Sequence, residues 1–190
     1  MNYTINNNVF TDTECNDIIQ FMIQNGKQHA YHQNEMTSWD CKRIDDNEFK
    51  TKILSKLVDN YKSGKYKLWF NYNEFNLKNF NISLTSYYDG RFLNLHKDTN
   101  SEITSVIVLS DGYVGGEFAL SDIDNPDFYF KNMKGISTFK LKIGDMISFN
   151  GTKTLHGVLP VMNGIRYALN VWMTETNYNY PSSKNNTTLI

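Results

Sequence analysis

Two stretches near the start of the chain repeat apolar residues every three or four positions, and from about Tyr66 to Met173 the period changes to two. The first stretch, Cys15, Ile18, Ile19, Met22 and Ile23, follows Thr11 and Glu14 at capping-box spacing. It predicts a helix of about three turns ending before Gly26. The second places Phe49, Ile53, Leu57 and Tyr61 four residues apart, starting near Asp46 and stopping at Gly64. Each has one apolar stripe of core residues, as expected of helices that buttress one face of a sheet. Eight short runs follow: ISLTSYY, RFLNLHKD, EITSVIVL, GGEFAL, DFYF, STFKLK, DMISFN and RYALNVWM, separated by Gly, Asp and Asn turns. Runs of this number and length predict a jelly roll or barrel, mostly β with N-terminal supporting helices. One domain is expected over residues 1–173, with helical support over 1–65 and the sheet core over 66–173. The polar segment 174–190 is expected to be a flexible tail.

Composition narrows this picture. The chain of 190 residues is 14% aromatic, with 12 Tyr and 12 Phe against 3 Pro, a bias toward residues that suit pleated surfaces. A formal charge of -1 offers no bulk attraction to phosphate backbones or anionic lipid, so neither nucleic acid nor membrane is expected as a partner. Two cysteines, Cys15 and Cys41, support neither a disulfide scaffold nor a thiolate zinc site and fit a reducing compartment. The start MNYTINNNVF lacks a charged, then apolar, leader pattern, and no run approaches the length of a membrane helix, so a cytoplasmic protein is expected.

Chemistry concentrates around two of the four histidines. His96 and Asp98 stand two apart in RFLNLHKD, and alternation along a strand sends both to one face with Phe92 and Asn94. A His-x-Asp alone arises readily by chance. The second half is His156, in GDMISFNGTKTLHGVLPV, after a strand and its polar turn. Two histidines and one carboxylate with open positions make the facial triad of non-heme Fe(II) oxygenases, whereas structural zinc wants four closed ligands. In GIRYALNVWM, Arg166, Ala168, Asn170 and Trp172 share one face, and Tyr167, Leu169, Val171 and Met173 share the other. The second set reads as core. The first reads as a pocket wall, with a guanidinium suited to gripping a carboxylate bidentately.

With these residues placed, the chain resembles the 2-oxoglutarate and Fe(II)-dependent dioxygenases, within them the prolyl 4-hydroxylase-like group, over about Ile82 to Met173. The segment HGVLPVMNGIRYALNVW is similar to the family pattern of His, Pro-Val, Gly, a basic residue and Trp, and GGEF at Gly115 to Phe118 resembles the glycine pair after the metal strand. The resemblance implies a double-stranded β-helix with Fe(II) on His96, Asp98 and His156. Arg166, ten residues past the distal histidine, is implied as the anchor of the far carboxylate of 2-oxoglutarate. Tyr87, nine residues before His96 in YYDGRFLNLHKD, is implied as its hydrogen-bonding partner, although Tyr88 competes and alternation turns only one of them inward. Collagen-type prolyl hydroxylases carry Lys where this chain has Arg166, which resembles instead the oxygen-sensing prolyl hydroxylases and many bacterial relatives.

The resemblance implies a hydroxylase that couples oxidative decarboxylation of 2-oxoglutarate to oxidation of a substrate carbon by dioxygen, with ascorbate as reductant. Retention of Asp98 argues for hydroxylation over halogenation. Substrates remain open between a peptidyl proline of a peptide or protein partner and a free amino acid or other small molecule. Asn170 and Trp172 are candidates to line the pocket. Tyr31 to Arg43 and Asp122 to Gly135 are segments that could form a lid or a plain surface connection. A non-catalytic jelly-roll binding module shares the sheet. A cupin does too, but it usually presents His-x-His plus Glu, which His96, Lys97 and Asp98 do not match.

Overall fold

A computed structural model describes residues 3–34, 37–64, 80–123, 126–127 and 129–173. Thirteen strands and two helices occur among them: β1 (Tyr3–Asn6), α1 (Asp12–Asn25), β2 (Lys27–Asn34), β3 (Thr37–Arg43), α2 (Asn47–Lys62), β4 (Phe80–Tyr87), β5 (Leu93–His96), β6 (Ile103–Val108), β7 (Val114–Gly115), β8 (Phe118–Ser121), β9 (Ile136–Phe139), β10 (Met146–Phe149), β11 (Leu155–Val158), β12 (Val161–Asn163) and β13 (Arg166–Met173). Seven strands form a major antiparallel sheet in the order β1-β10-β6-β13-β4-β3-β2. Four form a minor sheet, β5-β11-β8-β9, and β12 pairs with β7. Ile147, Phe149, Val106 and Ala168 from the major sheet pack against Phe118, Leu120 and Val158 from the minor one, giving the double-stranded β-helix.

Both helices form where their caps and stripes place them. The Thr11 hydroxyl accepts from the Glu14 N–H while the Glu14 carboxylate accepts from the Thr11 N–H, closing the capping box of α1. Asp46 caps α2 through the Phe49 N–H, and the helix stops before Gly64 in the left-handed region. Cys15, Ile18, Met22, Ile53 and Leu54 pack on Ile82, Leu84, Leu169, Val171 and Met173, so the helices cover the outer face of the major sheet. Strand alternation then commits the opposite residues of β4 and β13 to the inner face. Because Tyr87 pairs with Arg166, Thr85 with Ala168 and Ser83 with Asn170, three polar or charged rows lie on that face.

Several expectations are corrected. Residues 1–65 are more than helical support: β1, β2 and β3 belong to the major sheet. The segment Tyr31–Arg43 lies largely in the β2–β3 hairpin, whose outer strand ends the sheet, rather than in an irregular surface connection. The described residues of DFYF, Asp127, Tyr129 and Phe130, are not in a strand. Asp127 accepts hydrogen bonds from the Tyr129 and Asn132 N–H groups and Phe130 has φ 60, so a side-chain-braced turn replaces a ladder. Residues 65–79, where the period-two region was expected to begin, and the polar segment 174–190 lie outside the described residues.

Candidate metal centre and its pocket

The site is assembled across the minor sheet. His96 ends β5 and His156 stands on β11 directly opposite it in the antiparallel register, with ring centroids 4.3 Å apart. Asp98 lies beyond the end of β5, so simple strand alternation does not deliver it as expected. Its N–H donates to the Gly151 carbonyl, which turns the carboxylate back toward both rings. Asp98 Oδ1 is 3.7 Å from His96 Nε2 and 3.6 Å from His156 Nε2. All three ligand atoms lie within 4.8 Å of one another, close enough to share one ion.

Neighbouring groups fix the orientation of these ligands. Each imidazole places Nδ1 2.9 Å from the carbonyl two residues upstream, His96 on Asn94 and His156 on Thr154. A carbonyl can only accept, so Nδ1 carries the proton and Nε2 presents its lone pair toward Asp98. Burial, then the adjacent His156, push His96 down to about 4, leaving it neutral at physiological pH and able to ligate. Burial pushes the Asp98 carboxyl up, but the neighbouring His156 ring, the Thr104 hydroxyl and His96 together outweigh it. The carboxyl therefore ends below its usual range.

Thr104 is the residue that sequence reasoning missed. Its hydroxyl donates to Asp98 Oδ2, the oxygen turned away from the histidines, and so holds the carboxylate with Oδ1 forward. A Cβ at Gly151 would collide with that same pair, which explains a glycine two residues after β10 in FNG. The sequence offered a weak signal, a Thr six residues past the aspartate on the next inward strand face. Thr104→Val keeps the shape and removes the donor, and it should weaken Fe(II) binding by about 10–100-fold. Equilibrium dialysis checks this, with an unchanged melting curve showing that the fold persists.

The pH dependence of the metal-free protein follows from His96. Its ring gains a proton near pH 6.5 when unfolded but only near 4 when folded, so the unfolded state holds more protons across that window. Stability should therefore fall as pH is lowered from about 6.5 to about 4. Melting temperature measured across that range checks it; a flat profile would contradict the buried, neutral ring.

These groups open into a cavity of about 270 Å³ lined also by Thr85, Tyr87, Arg166, Asn170 and Trp172. Arg166 is 1% exposed, yet its Nε and one terminal nitrogen have no hydrogen-bond partner among the described residues. A buried guanidinium so placed requires an anion, because an uncompensated buried charge costs several kcal/mol. Gly116, at φ 70, makes room: a Cβ there would press on Arg166 Cδ at 2.9 Å. Tyr87 is buried with its ring 5.5 Å from the Arg166 guanidinium carbon. Burial pushes its hydroxyl up to about 12 despite that cation, so it stays a hydrogen-bond donor. Tyr88 points elsewhere. Its hydroxyl donates to Asp40, which also pairs with Arg91 at 3.2 Å, and this clamp ties β3 to the turn after β4. Cys41 lines the cavity too, but burial raises its thiol, so it remains protonated and is no thiolate ligand at neutral pH.

The donor set fits Fe(II), and the orphaned guanidinium fits a carboxylate. Fold and site together define an Fe(II)- and 2-oxoglutarate-dependent oxygenase. Residues 82–174 match the family model described as the 2OG-Fe(II) oxygenase superfamily. Among solved structures the chain is similar to a Pseudomonas putida prolyl-4-hydroxylase, at 14% identity and a TM-score of 0.61, covering 91% of this chain and 92% of that one. It is also similar to a viral collagen prolyl hydroxylase from Paramecium bursaria Chlorella virus-1 in complex with 2OG, at 19% identity and a TM-score of 0.57, covering 90% and 95%. A third is a Trichoplax adhaerens prolyl hydroxylase in complex with a hypoxia inducible factor oxygen degradation domain peptide, at 18% identity and a TM-score of 0.65, covering 91% and 83%. No curated protein matches in sequence. At these identities the structures establish a shared fold. No described helix is long and apolar enough to cross a membrane.

Proposed function

We propose that the protein hydroxylates a proline in a peptide, using 2-oxoglutarate as cosubstrate and ascorbate as reductant. The observation that carries this reading is the buried, unpartnered Arg166 guanidinium at one end of a cavity whose other wall holds His96, Asp98 and His156. His96, Asp98 and His156 would hold Fe(II), which when bound supplies the activation of dioxygen and the oxidation of a substrate C–H bond, coupled to decarboxylation of 2-oxoglutarate. Arg166 would pair with the far carboxylate of 2-oxoglutarate, and the Tyr87 hydroxyl would donate to the same group. The carbonyls of Asn94 and Thr154 hold the two imidazoles in one tautomer, and Thr104 keeps Asp98 facing them. Phe118, Val106 and Val158 exclude water from the inner half of the pocket.

The fold shared with three prolyl hydroxylases supports peptidyl proline as the substrate class. A cytoplasmic setting fits the two free, buried cysteines. Hydroxylation is read as a gain of 16 mass units on a proline peptide incubated with the protein, Fe(II), ascorbate and 2-oxoglutarate. If succinate accumulates while proline peptides and free proline stay unmodified, the substrate class is wrong.

A further inference from the structure

One residue of the cavity wall leaves half of its hydrogen-bonding capacity unused. Asn170 on β13 is 8% exposed and lines the cavity together with Arg166, which is sealed, and Trp172, which is half-buried. In the sheet register Asn170 pairs with Ser83 of β4 and Val106 of β6, and Trp172 pairs with Thr104, whose hydroxyl holds Asp98. Along the inner face of β13, Asn170 therefore follows the sealed Arg166 and precedes the partly open Trp172.

A neighbour fixes which way the amide faces. The Thr85 hydroxyl donates its one proton to the Ala168 carbonyl at 3.3 Å, so toward Asn170 it can only accept. The Asn170 amide nitrogen donates that bond at 3.1 Å, and a flipped amide would set two acceptors against each other. The nitrogen is thus committed to the wall, and the carbonyl oxygen accepts no hydrogen bond among the described residues. Nearby hydroxyls are already spent: Thr104 donates to Asp98 and Ser101 to the Ile103 carbonyl. An acceptor left unpaired in a buried site is unfavourable, so a ligand that fills this part of the cavity gains by bringing a donor to it.

We infer that the Asn170 carbonyl oxygen is a substrate subsite that accepts an N–H beside the ring that is oxidised. This rests on the proline-hydroxylase reading of the site and narrows it. A proline within a peptide has no N–H of its own, so the donor is the backbone N–H of the residue after or before it, or, in free proline, the ring ammonium. Methylation of nitrogen removes each donor separately. A proline peptide is compared with the same peptide N-methylated at the following residue and with one N-methylated at the preceding residue, and free proline is compared with N,N-dimethylproline. Equilibrium binding without oxygen, to protein loaded with 2-oxoglutarate and a redox-inert divalent metal, and the rate of the gain of 16 mass units are measured for wild type, Asn170→Leu and Asn170→Asp. Each preference is a ratio taken within one protein, so a loss of folded material cancels. Wild type should favour the N–H member of at least one pair by about tenfold, the size expected for one hydrogen bond to a buried acceptor. Asn170→Leu fills the same space without an acceptor and should bring that ratio to about one, whereas Asn170→Asp keeps an acceptor and should keep a preference. A wild-type ratio near one in every pair, or a preference that persists unchanged in Asn170→Leu, overturns the inference while leaving the oxygenase reading intact. A wild type that neither binds nor hydroxylates any of these proline compounds overturns the proline reading and the subsite with it.

Discussion

Asp98→Ala is expected to lose stoichiometric Fe(II) binding, with affinity falling by more than about 100-fold. That exceeds the 10–100-fold typical of groups that only orient a ligand, because Asp98 supplies the one anionic donor among the three. The loss has a second component. With the carboxylate gone, the Thr104 hydroxyl loses its acceptor and the two imidazoles lose the group that faces both Nε2 atoms. Asp98→Asn isolates the charge, since it keeps the shape and an oxygen, and it should retain more metal than Asp98→Ala. Equilibrium dialysis against Fe(II) under nitrogen gives both numbers. Full-strength binding in Asp98→Ala would remove the carboxylate from the ligand set.

Arg166→Ala is expected to weaken 2-oxoglutarate binding by at least about 100-fold while leaving Fe(II) affinity nearly unchanged. Breaking a buried charge pair by removing one partner costs about 3–5 kcal/mol, and 1.4 kcal/mol is a factor of ten. The effect should be specific to the diacid, because the guanidinium has no bonded partner for Nε and one terminal nitrogen that its removal would strand. Arg166→Lys restores a charge without the planar fork and should recover part of the affinity. Calorimetry of 2-oxoglutarate against protein loaded with a redox-inert divalent metal checks this, and equal affinities in wild type and Arg166→Ala would contradict the assignment of that end of the pocket.

Much of the site was legible because it follows from short-range pattern. The alternation in RYALNVWM separated Arg166 and Asn170 from Leu169 and Val171 correctly, since β13 lies centrally in its sheet and packs helices on one face only. The roles of Arg166, ten residues past His156, and of Tyr87, nine before His96, came instead from the resemblance to a known family. Other features were hidden for identifiable reasons. KQHAYHQN and TSWDCKR hold few apolar residues, so the β2–β3 hairpin has no periodic signature, and it forms because β4 offers an edge to pair with. Asp98 appeared to belong to its strand, but its position is set by a backbone bond to Gly151, some fifty residues away. Thr104 acquires meaning only through the register of β6 against its neighbours, and register between distant strands is not written locally.

The account's central claim is that the two histidines and Asp98 hold an iron at which 2-oxoglutarate, anchored on Arg166, is consumed. Quantifying succinate from 2-oxoglutarate in air, with and without Fe(II), addresses it most directly, with Asp98→Ala and Arg166→Ala run alongside. Fe(II)-dependent succinate formation by wild type, lost in Asp98→Ala and restored in Arg166→Ala only at greatly raised 2-oxoglutarate, is the predicted result. Succinate formation that is indifferent to Fe(II), or that survives intact in Asp98→Ala, would contradict it.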